Sequence, residues 1–104
     1  MIHSVEVALS TMATSAYVAL QGTELGLAND GDGTWKGSEE LDLSTEIALV
    51  MKVRGLNGTA WSISITLDGA ARPHFRQSGI IETNNYSLLK TTIPVKKPAR
   101  KDNA

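Results

Sequence analysis

The sequence predicts an all-β protein, folded as an antiparallel β-sandwich of seven or eight strands. Short runs rich in Val, Ile, Leu and Thr alternate between apolar and polar residues, as strands with one buried side do. Turn residues separate these runs at intervals of about eight to twelve positions, a spacing typical of sandwiches and barrels. The best helical candidate, residues 9–20, is rich in Thr, Ser, Val and Tyr, which favour strands.

The chain of 104 residues fits one domain, which we expect to span residues 1–95. A basic segment, KKPARKDNA at 96–104, is predicted to be a flexible carboxyl-terminal tail that remains solvated. The predicted strand segments, in chain order, lie at 5–9, 15–20, 23–28, 41–43, 47–54, 60–67, 80–81 and 86–95.

The two strongest runs, 47–54 and 60–67, flank an Asn57-Gly58 dipeptide that invites a two-residue hairpin turn. That register would place apolar and polar side chains together on each face of the hairpin. Polar groups would then be buried or apolar groups exposed, and either costs folding free energy. A three-residue loop, Leu56-Asn57-Gly58, avoids this. It pairs Gly55 with Thr59 and aligns the apolar residues as Val53 with Trp61, Met51 with Ile63, Leu49 with Ile65, and Ile47 with Leu67. We therefore predict this hairpin, with Gly58 in the left-handed region.

The opposite side of these two strands is mostly polar, so the predicted sheet is covered on one side only. No amphipathic helix is available as the cover, and a second sheet must supply it. The arrangement resembles an immunoglobulin-like sandwich in general architecture. The Cys…Trp…Cys spacing of antibody domains is absent, because the chain has no cysteine.

Bulk charge and composition limit the classes of partner. The net charge is −1, with +3 concentrated in the tail and −4 in the preceding residues, so nucleic-acid binding is unlikely except through the tail. The longest apolar run, 47–51, is far shorter than the ~20 residues needed to span a membrane, so we expect no membrane span. The sequence does not indicate a cellular compartment.

The loop NDGDGTWKG at 29–37 places Asp30 and Asp32 among glycines. Counted from Asp30, the spacing fails the EF-hand pattern, although a looser calcium site in the loop stays open. The other interpretation is a plain turn, which Asn, Asp and Gly favour. Trp35 is expected either to pack at one end of the core or to stack on a sugar or a partner protein. Trp61 alternates in phase with the core and is expected to be structural.

The strongest candidate for a binding segment in the sequence is ARPHFRQSG at 71–79. Arg72, His74 and Arg76 share one parity, so an extended chain would direct them to one side as a cationic strip beside Phe75. Such a strip suits a carboxylate, a phosphate or an acidic protein surface. The alternative is a solvated edge strand whose charges and Pro73 prevent aggregation.

Catalysis finds little support in the sequence. His3 and His74 are the only histidines, which excludes a three-His metal site, and no Ser/His/acid set or phosphate loop is apparent. We expect no cofactor. A hydrolase with His74 as the base is retained only as a third hypothesis.

The sequence thus predicts a non-catalytic binding or assembly module that contacts a protein partner, or further copies of itself, in a surface, virion or secretion-associated complex. Its expected contact residues are Arg72, His74, Phe75, Arg76 and Trp35. The alternative is a carbohydrate-binding module that uses Trp35, Asp30 and Asp32.

Overall fold

The computed structural model describes residues 2–95, in which nine strands follow one another. They are β1 (Ile2–Thr11), β2 (Ser15–Leu20), β3 (Thr23–Leu25), β4 (Ala28–Asn29), β5 (Thr34–Asp42), β6 (Glu46–Arg54), β7 (Ala60–Leu67), β8 (Phe75–Ile80) and β9 (Tyr86–Pro94). No helix occurs within this range, so the predicted all-β class is confirmed. The predicted basic tail at 96–104 lies outside the described residues.

The strands form two antiparallel sheets. Sheet A has the order β4-β5-β1-β7-β8, and sheet B has the order β3-β2-β6-β9. In an immunoglobulin domain the first two strands are neighbours in one sheet, whereas here β1 and β2 lie in different sheets. The predicted immunoglobulin-like order is therefore not confirmed, nor is the predicted count of seven or eight strands.

Alternation along each long strand creates the core. In β6, Ile47, Leu49, Met51 and Val53 are buried while the residues between them are mostly exposed. The alternating apolar side chains of β1 and β7 are buried in the same way: Val5, Val7 and Leu9 in β1, and Trp61, Ile63, Ile65 and Leu67 in β7. One hydrophobic cluster contains residues of both sheets, so the sheets pack face to face in a sandwich-like arrangement.

The predicted hairpin between residues 47–54 and 60–67 is wrong. β6 pairs with β2 and β9 in sheet B, whereas β7 pairs with β1 and β8 in sheet A. Residues 55–59 therefore connect the two sheets. The apolar sides of β6 and β7 enter the same core from opposite layers. This face-to-face arrangement buries the apolar residues as well as a hairpin would. An alternating pattern determines which side of a strand is buried, but it does not determine which strand lies beside it.

The connection at 55–59 retains one predicted feature. Gly58 has a φ of 95°, in the left-handed region, as expected. It lies in a turn closed by a 3.1 Å hydrogen bond from the Thr59 N–H to the Leu56 carbonyl, and no ladder pairing of Gly55 with Thr59 accompanies it. The predicted strand at 23–28 also differs, since it divides into β3 in sheet B and β4 in sheet A.

Candidate functional site

The outward side of sheet B carries a group of basic and aromatic side chains. Lys52 and Arg54 alternate with the buried Met51 and Val53 of β6 and therefore project away from the core. The register places Tyr17 of β2 directly beside Lys52. Tyr17 thus projects to the same side, and the centre of sheet B presents cations next to an aromatic ring.

Strand β9 completes this surface on the other side of β6. Tyr86 pairs with Arg54, Leu88 pairs with Lys52, and Lys90 pairs with Val50. Leu88 is 52% exposed although it is a large apolar residue. We call this surface the basic face and define it by the outward side chains of Tyr17, Lys52, Arg54, Tyr86, Leu88 and Lys90.

Two contacts between cations and aromatic rings hold the side chains of the basic face in place. The Lys52 Nζ lies 5.1 Å from the ring centroid of Tyr17, and the Arg54 Cζ lies 5.6 Å from that of Tyr86. These distances fall within the range of favourable cation–π attraction. Both tyrosines are half-buried, so their rings are held by the sheet and do not rotate freely in solvent.

No carboxylate of the described residues is paired with the basic face, although Glu24 on the edge strand β3 and Glu46 at the start of β6 lie on the same outward side of sheet B. Among residues 2–95, no acidic side chain lies within salt-bridge distance of Lys52, Arg54 or Lys90. The same part of the chain contains six basic and ten acidic residues, so the face is a positive patch on an acidic body. Such a patch attracts negatively charged partners locally despite the net charge.

The residues of the predicted cationic strip lie partly within a strand and partly in the segment that precedes it. Arg76 lies within β8, at the edge of sheet A, whereas Arg72 and His74 precede that strand. Phe75 is half-buried and packs against the core. The location of β8 agrees with the edge-strand interpretation, and the role of the strip in binding stays a prediction.

His74 has a structural contact of its own. Its Nε2 lies 2.6 Å from the carbonyl oxygen of Pro94, and its backbone N–H donates to the Ile65 carbonyl at 2.7 Å. A carbonyl oxygen only accepts hydrogen bonds, so Nε2 carries the hydrogen. The imidazole thereby joins the start of β8 in sheet A to the end of β9 in sheet B. A role for this ring as a catalytic base stays a hypothesis.

In the acidic loop, the carboxylate of Asp30 serves the turn. The Asp30 Oδ1 accepts hydrogen bonds from the backbone N–H groups of Asp32, at 2.7 Å, and of Thr34, at 3.3 Å. This is the local bonding by which Asp stabilises turns. Among residues 2–95, no three His, Asp or Glu side chains come together where they could hold a metal ion.

Trp35 is half-buried and packs against the core. Its indole N–H donates to the Thr11 carbonyl at 3.3 Å, so the ring is oriented from within the fold. Trp61 is 7% exposed, and its predicted structural role is confirmed. The two indoles therefore contribute mainly to packing.

An open groove of about 840 Å³ lies at one end of sheet A, next to the acidic loop. Its lining includes Asp32 and three serines, Ser10, Ser62 and Ser78, which pair side by side across β1, β7 and β8. Trp35 is not among the lining residues. The groove thus offers hydroxyl groups and a carboxylate beside apolar residues that include Trp61, Met12 and Ile80, and the aromatic residue that lines it is Trp61 in place of the predicted Trp35.

At the other end of sheet A, a hydrogen-bonded pair of side chains fixes the start of β1. The His3 Nδ1 lies 2.7 Å from the Asp68 Oδ2, and the Ser4 N–H donates to the Asp68 Oδ1 at 3.0 Å. The hydrogen bond with His3, followed by that from Ser4, lowers the pKa of Asp68. This pair has a clear structural role, since it ties β1 to the turn after β7.

Sequence reasoning identified none of the basic face as a site. The outward phase of Lys52 and Arg54 was visible from the alternation of β6. Tyr17 and Tyr86 lie far from them in the chain, however, and only the pairing of β2 and β9 with β6 brings these residues together.

No protein-family model, curated protein or solved structure matches the chain. Among residues 2–95, no apolar helix long enough to cross a membrane is present.

Proposed function

We propose that the protein is a non-catalytic binding or assembly module that contacts another protein through the basic face. One observation carries this proposal. Three cations, two tyrosines and an exposed leucine lie together on a rigid sheet, and no acidic side chain of residues 2–95 neutralises the cations. Surfaces on rigid sheets suit recognition because little conformational entropy is lost on binding.

The composition of the basic face favours a protein partner. Tyr and Arg are enriched among the residues that dominate binding energy at protein interfaces. Leu88, on the edge strand β9, supplies an exposed apolar contact beside Lys52, and Lys90 lies two residues further along the same strand. The tyrosines lose little rotamer freedom on binding, because the neighbouring cations already restrict their rings.

The strip at Arg72, His74 and Arg76 is a competing contact surface, and one experiment discriminates between the two. The double variant Lys52→Gln/Arg54→Gln removes two cations from the basic face, and Arg72→Gln/Arg76→Gln removes two from the strip. Lys36→Gln, on the outward side of sheet A, serves as the control for charge loss. Each protein is immobilised, and the proteins that it retains from its source cells are compared by mass spectrometry.

We expect a partner that the wild-type protein and the Lys36 and Arg72/Arg76 variants retain, and that the Lys52/Arg54 variant loses. If the Lys52/Arg54 variant retains the partner and the Arg72/Arg76 variant loses it, the binding site is the cationic strip and not the basic face. Light scattering over a concentration series tests whether the partner is a second copy. An association that the Lys52/Arg54 substitutions abolish would identify the basic face as a self-contact.

The groove beside Asp32 favours carbohydrate binding as a second candidate function, since hydroxyl and carboxylate groups recognise sugar hydroxyls through hydrogen bonds. An oligosaccharide titration followed by the amide resonances of Ser10, Ser62 and Ser78 tests it. Shifts confined to these residues would support a glycan site, and unchanged spectra with neutral and acidic oligosaccharides would remove it.

A further inference from the structure

The three cations of the basic face follow the spacing of an extended chain. Arg54 and Lys52 lie two residues apart on β6, which separates their Cα atoms by about 7 Å. Lys90 lies opposite Val50, one further step of the same length along the sheet. Each of three successive cross-strand rows therefore contributes one positive charge, and the row of Lys90 also contains Glu24, which lies three strands and roughly 14 Å away on β3.

The middle row also offers apolar contact. It contains Tyr17, Lys52 and Leu88 side by side on β2, β6 and β9. A ligand that lies along β6 would meet Leu88 on one side and the Tyr17 ring on the other. The exposed Leu88 and the half-buried Tyr17 and Tyr86 flank this path, so an extended segment would lie between them above β6.

On the basis of the proposed function, we infer that the basic face binds an extended acidic polypeptide segment with carboxylates at alternate positions. Side chains two residues apart on an extended chain point to the same side and repeat at about 7 Å, which is the spacing of the three cationic rows. Carboxylates at positions i, i+2 and i+4 would thus face Arg54, Lys52 and Lys90 in turn. The three cations have no salt-bridge partner among residues 2–95, so their positive charge is complementary to the carboxylates of such a segment.

Single-stranded nucleic acid is the competing occupant, because aromatic residues on a sheet also stack with bases. The observations favour the polypeptide. The two tyrosine rings already carry Lys52 and Arg54 against them, and three cations on an acidic body give little of the counterion release on which phosphate-backbone binding depends.

A titration of the full-length protein tests this inference, with amide chemical shifts as the readout. The probes are a capped peptide in which Glu and Thr alternate, a peptide of the same composition with its Glu residues in one block, and oligothymidylate. We expect the alternating peptide to shift the amides of β6 and β9 at about 0.1 M salt, where the Debye length is about 10 Å, and to bind several-fold more tightly than the block peptide.

The variants locate the interaction. We expect Lys52→Gln/Arg54→Gln to weaken peptide binding about fivefold to tenfold, because the variant loses two exposed ion pairs with the peptide. Lys36→Gln should change the affinity less than about twofold, since Lys36 lies on the outward side of the other sheet, beyond a Debye length. Preserved amide dispersion shows that each variant remains folded.

Equal binding of the two peptides would overturn the spacing argument, and shifts confined to residues outside β2, β6 and β9 would overturn the location. Tighter binding of oligothymidylate than of the alternating peptide would assign the face to nucleic acid. If the peptides fail while the Lys52/Arg54 variant still loses its protein partner, the proposed function stands and the acidic-segment inference falls.

Discussion

Gly79 lies directly against the indole of Trp61, its cross-strand neighbour in sheet A. A Cβ at this position would come within 2.6 Å of the Trp61 Cζ2. Real Cβ atoms do not approach other atoms so closely, so a side chain would displace the ring. Gly79 thus allows a large aromatic residue to cover the edge strand β8.

We expect Gly79→Ala to destabilise the protein by about 1–3 kcal/mol, because it overpacks the core around Trp61. The free energy of unfolding from urea denaturation measures the effect. Gly26→Ala is the matched control, since a Cβ there meets nothing within 4 Å. The control should be neutral or stabilising by up to about 1 kcal/mol, through lower entropy of the unfolded chain. Equal losses in the two variants would contradict the role of the Trp61 contact.

At the scale of single residues, the sequence predicted Trp61 correctly because its phase matched that of the core. It could not predict the contact with Gly79. That contact depends on the pairing of β7 with β8, and the segment before β8 gave no strong alternation from which a register could be derived.

Two irregular segments hold one end of the sandwich together. The Asn57 N–H donates to the Asn85 Oδ1 at 3.2 Å, and the Asn85 N–H donates to the Asn57 Oδ1 at 3.0 Å. The Gly58 N–H also donates to the Ile81 carbonyl at 2.7 Å. The connection between β6 and β7 is therefore bonded to the turn before β9, which fixes its path between the sheets.

We expect Asn57→Ala to cost about 1 kcal/mol of unfolding free energy, because the Asn85 N–H loses its acceptor. Asn57→Asp is the control, since its side chain retains an oxygen at the same place. Thermal and urea unfolding of both variants measure the difference. A similar loss in the two variants would show that the oxygen acceptor at Asn57 is not what stabilises the connection.

At the scale of strands, the sequence predicted correctly which sides of β6 and β7 are buried. It predicted wrongly that the two strands are neighbours in one sheet. Ile47, Met51, Ile63 and Ile65 are all fully buried, as expected. A hairpin and a face-to-face arrangement both bury them, so the alternation alone could not decide between the two. The basic face was missed for the same reason, because its definition requires the neighbours of β6.

The whole molecule has one hydrophobic cluster to which both sheets contribute. Met51 of sheet B is fully buried within it, as is Ile65 of sheet A. Neither sheet can keep its inner side away from water without the other, and the two should therefore unfold together.

We expect Met51→Ala to lower the free energy of unfolding by about 2–5 kcal/mol, through the cavity that it leaves. Both tryptophans lie in sheet A, so their fluorescence reports on the layer that does not contain the substitution. Circular dichroism reports on both layers. The two signals should show the same shifted midpoint, and separate midpoints would contradict a shared core.

The central position of β1 in sheet A affects how the chain reaches its native state. β1 pairs with β7, so that Val5 lies opposite Leu67, and more than half of the chain separates these partners. During synthesis β1 can pair with β5 once that strand has emerged, but its other neighbour, β7, is made later, and the apolar side of β1 stays exposed until the strands of sheet B cover it. Pairings so distant along the chain slow folding. We expect the nascent protein to fold only after β7 has emerged, and to depend on chaperones until then.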